Sequence, residues 1–420
     1  MYDFFSEKPC PRIFFFVRLW YTFVISERRQ LLIKFQYYIP SRVLLGSGQL
    51  DRLHKQKLPG KKALIVISCG TSVRKYGYLA RLEEQLDKAG VAHVIFDKIQ
   101  PNPTEHHVME GAALAKAEGC DFVIGLGGGS IIDSAKAIAV MATNEGQFWD
   151  YVSGGTGGGK AVPVTPLPIV AITTTAGTGT EADPWAVVTN DKGEKIGFGY
   201  DGTFPVLSIV DPDLMMSVPE KLTAYQGFDA LFHSTEGYIN RYTNPINDLY
   251  ALKAIELIGK SLAKAVNNGS DKEAREDVAL ANTLSGMSES IGGCTSEHAM
   301  EHPLSGKNPK LEHGAGLIML CEAYYTYWAE RGVVDDRMIA MAKALGKTDA
   351  TKAMDFVDAL RDLKVACHVD DLKMSDYGIK EEDLEMYTKM AYDTMGGLFQ
   401  VDPADMPFED CLAIYKKAYR

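Results

Sequence analysis

Apolar and polar positions follow two different rhythms along the chain. From Phe35 to about Ile209, short Val/Ile-rich runs alternate with amphipathic stretches. Val43-Leu44-Leu45 ends at a Gly-Ser-Gly turn, and Lys62 to Ser68 (KALIVIS) reads as a buried strand. Tyr78 to Gly90 puts Leu79, Leu82 and Leu86 on one helical face, with Gly90 as the stop. His93 to Phe96 is the next strand, Pro101 to Thr104 a turn, and a helix runs through Ala117 to Gly119. Asp121 to Gly125 (DFVIG) is a further strand. Strands alternating with helices predict an α/β unit with a parallel sheet. Beyond about Asp211 only the helical period remains: Leu222–Ile239, Pro245–Val266, Ala274–Ile291, Leu317–Ala329, Val334–Leu345, Ala350–Leu363 and Glu381–Tyr392. The pattern predicts an α/β domain over 33–211 and an all-helical domain over 212–420.

Residues 1–32 match neither rhythm. Ile13 to Ile25 is apolar except for Arg18 and Thr22, and is shorter than the roughly 20 residues a bilayer span needs. Arg18 interrupts any signal-peptide core, and no small-x-small cleavage site follows. The segment reads as an extension without a role in the chemistry; a packed or partner-binding arm and a membrane-targeting segment are the alternatives.

The composition of the 420 residues, 46% hydrophobic and 24% charged, is that of a globular protein. A net charge of −11 opposes attraction to nucleic-acid phosphates and anionic lipids, so neither partner is expected. Seven widely spaced cysteines without Cys-x-x-Cys suit a reducing cytoplasm, the expected location.

Gly125-Leu126-Gly127-Gly128-Gly129-Ser130 follows a predicted strand and opens a predicted helix after the serine. Glycines let a backbone approach a diphosphate, and a helix N-terminus offers free N–H groups. Ser130 can cap that helix or bond a phosphate oxygen; a plain strand–helix turn is the competing account. Gly154 to Lys160 (GGTGGGK) imitates a P-loop, but Ala161 replaces the required Ser/Thr and Pro163, Pro166 and Pro168 forbid the helix. A mobile surface loop is the better reading. Ile172 to Glu181 (ITTTAGTGTE) runs from a strand end into a Thr/Gly loop suited to a ribose or nicotinamide.

Four of the nine histidines fall between 233 and 313. Asp229 and His233 are four apart on one helical face, as are His298 and His302, and His313 follows in the loop LEHGAG. Three imidazoles and a carboxylate form a donor set for divalent zinc or iron. Five candidates for four places leave one histidine for proton work. His54, His93, His106, His107 and His368 read as ordinary structural or surface residues.

GGGSIIDSAK (127–136), TTAGTGTE (174–181), DPDLMMSVPEKLTAYQGFDALFHSTEGYI (211–239) and HAMEHPLSG with EHGAGL (298–317) together resemble the iron-containing (group III) alcohol dehydrogenase family, in the style of its butanol-dehydrogenase-like branch. The resemblance covers about 33–420. It implies a dehydroquinate-synthase-like architecture: an α/β N-terminal dinucleotide-binding domain facing an all-α C-terminal metal-binding domain. It makes Asp229, His233, His298 and His313 the ligands of Fe²⁺ or Zn²⁺, and His302 the proton-transfer residue. Gly127, Gly128, Gly129 and Ser130 become the diphosphate cradle. Thr174, Thr175 and Thr178 line the nicotinamide ribose, and Asn102 and Lys195 also reach the cofactor. Asp133 and Lys136 read as an orienting pair or a structural contact. A homodimer is the family expectation. Two departures stand out: His302 and His313 are one residue further apart than is usual, and Thr180 replaces a serine.

The turn Ser68-Cys69-Gly70-Thr71-Ser72 carries no carboxylate to repel a 2′-phosphate, and Arg74 and Lys75 follow it. Ser72 joins the cofactor candidates, and the turn favours NADP(H) over NAD(H). The implied activity is oxidation of small primary alcohols or diols, or reduction of their aldehydes, by hydride transfer. A dehydroquinate-synthase-like lyase, which would need more basic residues around its substrate, and a non-catalytic metal or nucleotide sensor are the alternatives.

Overall fold

Runs of Val, Ile and Leu become strands buried on both faces. The computed structural model describes residues 34–420; the readings of 1–32 lie outside them. Residues 38–420 form one unit. Within that unit β1 (Arg42–Leu45), β2 (Lys62–Ser68), β3 (Ala92–Ile99), β4 (Phe122–Gly127), β5 (Ile169–Thr173) and a late strand, β8 (Leu207–Val210), form one sheet. Its order is β1-β8-β5-β4-β2-β3, and every pairing is parallel. Side chains alternate across it: Leu64 and Val66 enter one apolar cluster, and Ala63, Ile65 and Ile67 enter another on the opposite face.

Helices α1 (Ser72–Lys75), α2 (Tyr78–Ala89), α3 (Glu105–Glu118) and α4 (Gly129–Thr143) connect the strands. Gly90 and Gly119 end α2 and α3 with φ of 66° and 64°, a conformation that glycine adopts without a Cβ penalty. One feature was not predicted: β6 (Ala186–Thr189) and β7 (Lys195–Phe198) form an antiparallel hairpin outside the main sheet. Its turn was legible. Asn190 Oδ1 accepts from the N–H groups of Lys192 and Glu194, and Gly193 has φ of 77°.

The second half is helical: α5 (Glu220–Ile239), α6 (Pro245–Asn267), α7 (Lys272–Gly292), α8 (Ser296–Lys307), α9 (His313–Arg331), α10 (Asp335–Ala344), α11 (Met354–Ala366), α12 (Leu384–Phe399) and α13 (Phe408–Ala418). Three expectations change. His313 is the first residue of a helix, not part of a loop. The glycines that suggested a loop are sites of close approach: a Cβ on Gly314 would meet the Tyr225 carbonyl at 2.1 Å, and one on Gly316 the Glu301 carboxylate at 2.6 Å. α4 begins at Gly129 with Gly128 as its N-cap, so Ser130 lies inside the first turn rather than capping it. The 154–160 loop closes on itself through bonds from Gly157, Gly158, Gly159 and Lys160 to nearby carbonyls, which restrain the mobility its composition suggests. No helix among the described residues is long and apolar enough to cross a membrane.

Candidate active site

Asp229 and His233 lie one turn apart in the middle of α5, a helix buried along nearly all its length. α8 contributes His298 and His302, and the start of α9 contributes His313. Oδ1 of Asp229 stands 3.5 Å from Nε2 of His298, 3.5 Å from Nε2 of His313 and 3.9 Å from Nδ1 of His233. Asp229 Oδ1, His298 Nε2 and His233 Nδ1 are buried without a hydrogen-bond partner. Such orphaned atoms are costly unless something fills the space between them. A carboxylate and three imidazoles converging in this way fit a divalent iron or zinc ion.

The outer nitrogens of two of these histidines are held by buried glutamates. Glu236 pairs with Nδ1 of His298; it also accepts from Thr295 N at 3.0 Å, Thr295 Oγ1 at 2.9 Å and His298 N at 3.2 Å. Glu301 pairs with Nδ1 of His313. A carboxylate behind a ligating imidazole fixes its ring and leaves Nε2 to point inward. Neither glutamate was picked out from sequence. The signal was present: Asp229, His233 and Glu236 keep the i, i+4, i+7 spacing of one helical face.

His302 is the histidine not gathered around Asp229. Its Nδ1–H donates to the Lys195 carbonyl at 3.1 Å, which leaves Nε2 as a proton acceptor. Burial, reinforced by the Lys195 ammonium and the neighbouring histidines, holds it well below the ordinary imidazole range, so the ring is neutral. The Lys195 ammonium is committed elsewhere: 2.9 Å from Ser305 Oγ, 3.2 Å from His313 Nδ1 and 3.5 Å from Glu301.

These groups line a cavity of about 180 Å³ that Asn102, Ser130, Thr178, Trp185, Glu289 and Cys294 also enter. Gly127 and Thr173 pair at the carboxyl ends of β4 and β5, and Thr174 N donates to the Gly127 carbonyl at 2.9 Å. Parallel sheets place ligands at such strand ends. The loops after these strands interlock: a Cβ on Gly128 would meet Thr175 Oγ1 at 2.8 Å, and one on Gly129 would meet Thr178 Cγ2 at 2.4 Å. The first turn of α4 has no side-chain cap, and free N–H groups at a helix start are a favourable partner for a phosphate. Asn102 takes φ of 53°, an unusual conformation beside the cavity. Ser72, exposed at the start of α1, is not among the cavity-lining residues, and neither are Gly127, Gly128, Gly129, Thr174 and Thr175.

Asp133 and Lys136 do act together, through Thr180. The Thr180 hydroxyl donates to Asp133 at 2.7 Å, and Lys136 donates to Thr180 at 2.6 Å and to Asp183 at 2.9 Å. Lys136 is fully buried, and the Asp183 and Trp185 carbonyls complete its surroundings. Arg74 pairs with Asp97 of β3 at 2.8 Å, which places a carboxylate beside the turn after β2.

Residues 40–212 match the family described as iron-containing alcohol dehydrogenase, and residues 223–419 match its C-terminal family. Alcohol dehydrogenase 4 of Schizosaccharomyces pombe is 35% identical over 91% of this chain and 88% of its own length. The NAD-dependent methanol dehydrogenase of Bacillus methanolicus is 33% identical over 91% and 99%. The crystal structure of an archaeal halo-thermophilic alcohol dehydrogenase from a Red Sea brine pool superposes with a TM-score of 0.87, at 35% identity over 92% of this chain and 100% of that one. The matching family and these relatives are oxidoreductases. The chain belongs to the iron-containing alcohol dehydrogenase family, whose members carry out nicotinamide-linked alcohol oxidation and aldehyde reduction.

Proposed function

We propose that Asp229, His233, His298 and His313 hold a divalent ion, Fe²⁺ or Zn²⁺, and that His302 moves the substrate proton. Gly127, Gly128, Gly129 and Ser130 take the cofactor diphosphate, and Thr174, Thr175, Thr178 and Asn102 its nicotinamide half. When bound, the ion polarises the substrate oxygen and the nicotinamide exchanges the hydride. His302, neutral and fixed by the Lys195 carbonyl, takes the hydroxyl proton at Nε2 in oxidation and returns it in reduction. Lys195 acts through the metal site, holding His302 with its carbonyl and standing behind His313 with its ammonium, rather than on the cofactor.

The substrate is a small primary alcohol, a diol or the matching aldehyde, in keeping with a cavity of about 180 Å³. The orphaned Asp229, His233 and His298 atoms beside His302, in a cavity that Ser130 and Thr178 also enter, carry this reading. The cofactor domain spans 33–211 and the metal domain 212–420, and the enzyme works as a cytoplasmic homodimer. For the cofactor, the preference for NADP(H) rested on a turn without a carboxylate and on the positive charge of Arg74 and Lys75 beyond it. Arg74 is paired with Asp97, so we favour NAD(H), as in the methanol dehydrogenase relative.

The test is an anaerobic assay of metal-stripped protein given Fe²⁺ or Zn²⁺, following NADH and NADPH oxidation with short aldehydes. Metal-dependent turnover, faster with NADH, is expected. Cofactor binding without turnover on any aldehyde would return the weight to the lyase or the sensor.

A further inference from the structure

Cys294 lies in the short link between α7 and α8, directly after Gly293, whose φ of 71° turns the chain. The side chain is buried, yet it lines the cavity, and of the described cysteines it alone does so. Its Sγ and one ring nitrogen each of His233 and His298 all lie within 4.8 Å of one another. Asp229, His298 and His313 form another group within the same limit, so the two groups meet at His298.

The thiol is lightly engaged. Its Sγ–H donates to Glu289 Oε1 at 3.8 Å, a long contact from a weak donor. The other Glu289 oxygen stands 3.7 Å from His233 Nε2, which is too far for a hydrogen bond. His233 Nδ1 and His298 Nε2 have no hydrogen-bond partner, and both residues are more than nine-tenths buried. Two imidazoles with orphaned nitrogens and one thiol make an N₂S donor set, which suits a soft or borderline ion. The carboxylate of Asp229 adds an oxygen donor to the other group and suits a harder ion.

We propose that His233, Cys294 and His298 form a second position for a thiophilic divalent ion, overlapping the one around Asp229. As the metal–sulfur bond forms, the thiol proton leaves to solvent, without any change of oxidation state. The shared His298 and the repulsion of two divalent charges so close together prevent both positions from filling at once. The proposal rests on the reading of Asp229, His233, His298 and His313 as ligands. It makes Cys294 a determinant of which metal the chain retains, because sulfur draws a soft ion away from Asp229 and His313.

Cd²⁺ is the probe, added to metal-stripped full-length protein and followed by the ultraviolet charge-transfer absorption of a sulfur–cadmium bond. Wild type should gain that absorption with the first equivalent. In protein loaded with Fe²⁺ under anaerobic conditions, excess Cd²⁺ should release one Fe²⁺ for each sulfur-bound Cd²⁺. Cys294→Ser and Cys294→Ala should each lose the absorption. Their ratio of Cd²⁺ to Fe²⁺ affinity should fall by at least about tenfold, the least that loss of a group behind a ligand commonly costs. No absorption in wild type overturns the proposal. So does absorption that survives in either variant, or that grows in iron-loaded protein without iron release. His313→Ala separates the two claims, since it removes a ligand of the four-donor reading and none of the sulfur position. It should keep the Cd²⁺ absorption while its Fe²⁺ affinity falls; unchanged Fe²⁺ affinity would sink the four-donor reading itself.

Discussion

Gly179 and Gly286 meet backbone to backbone. A Cβ on Gly286 would stand 2.1 Å from the Gly179 carbonyl oxygen, and one on Gly179 would stand 2.4 Å from the Gly286 Cα. Beside this contact Asn282 accepts from Gly179 N at 2.8 Å and donates to Glu181 at 2.8 Å. The Thr/Gly loop after β5 is therefore pinned to α7, the helix whose last turn reaches the cavity. Gly286→Ala forces the two apart, at a cost of roughly 1–3 kcal/mol for overpacking. Weaker NADH binding with unchanged metal content is the expected result, read by fluorescence titration and elemental analysis.

Glu181 gives the protein a pH-dependent stability. Burial pushes its carboxyl up to about 7, against which the Thr283 hydrogen bond works only in part. The folded protein keeps this proton until about pH 7, while the unfolded chain releases it near its ordinary 4.5. Unfolding between these values releases a proton, so the group's contribution to stability falls as pH rises through the window and is constant above it. Oε1 takes both hydrogen bonds and Oε2 has none, so Glu181→Gln keeps them. The variant should be more stable than wild type at pH 8, by on the order of 3 kcal/mol, and no more stable at pH 4. Denaturant melts at the two pH values check this; equal differences at both would sink it.

Removing the carboxylate behind a ligand should weaken the metal site without emptying it. Glu236→Gln keeps four candidate ligands but loses the charge that orients His298, which should lower metal affinity about 10–100-fold. Activity should return at higher metal concentration. Failure of excess metal to restore turnover would assign Glu236 to folding instead.

His302 and His298 should separate cleanly. His302→Ala should retain metal and lower turnover by about 10²–10⁴-fold, the usual worth of a positioned acid–base group. His298→Ala should lose metal and activity together. Metal analysis of the two purified variants distinguishes them, and metal loss in His302→Ala would mean that His302 is itself a ligand.

Cofactor choice should respond to Asp97. In Asp97→Asn, Arg74 loses its partner and becomes available to a 2′-phosphate. The ratio of kcat/KM for NADPH to that for NADH should rise by up to about tenfold, or about 1.4 kcal/mol. An unchanged ratio would remove this pair from the discrimination.

The main architecture was readable because its strands are continuous Val/Ile runs and its helices keep a clear period. Lys62–Ser68 and Tyr78–Ala89 emerge with the predicted limits. The hairpin was passed over because four-residue strands carry too little period to register, although Asn190 and Gly193 marked its turn. His313 was read as a loop residue because glycine usually signals chain reversal, whereas Gly314 and Gly316 permit close packing. The ligand candidates were visible as i, i+4 pairs, a local pattern. Glu289 and Glu301 were not, because their relation to the histidines is set by how helices pack. Arg74 looked free because its partner lies on the neighbouring strand.

The placement of Lys195 on the hairpin has a consequence for how this enzyme can vary. Its carbonyl orients His302 and its ammonium stands behind His313, and Lys195 is the residue at which β7 begins, opposite Thr189. Successive residues of a strand face opposite ways. A one-residue change of register in this short ribbon would turn the ammonium away from His313 and take the carbonyl from His302 in the same stroke. Turn length between Thr189 and Lys195 is thus a hidden catalytic variable: substitutions there can be tolerated, but insertions and deletions should be as damaging as loss of a histidine.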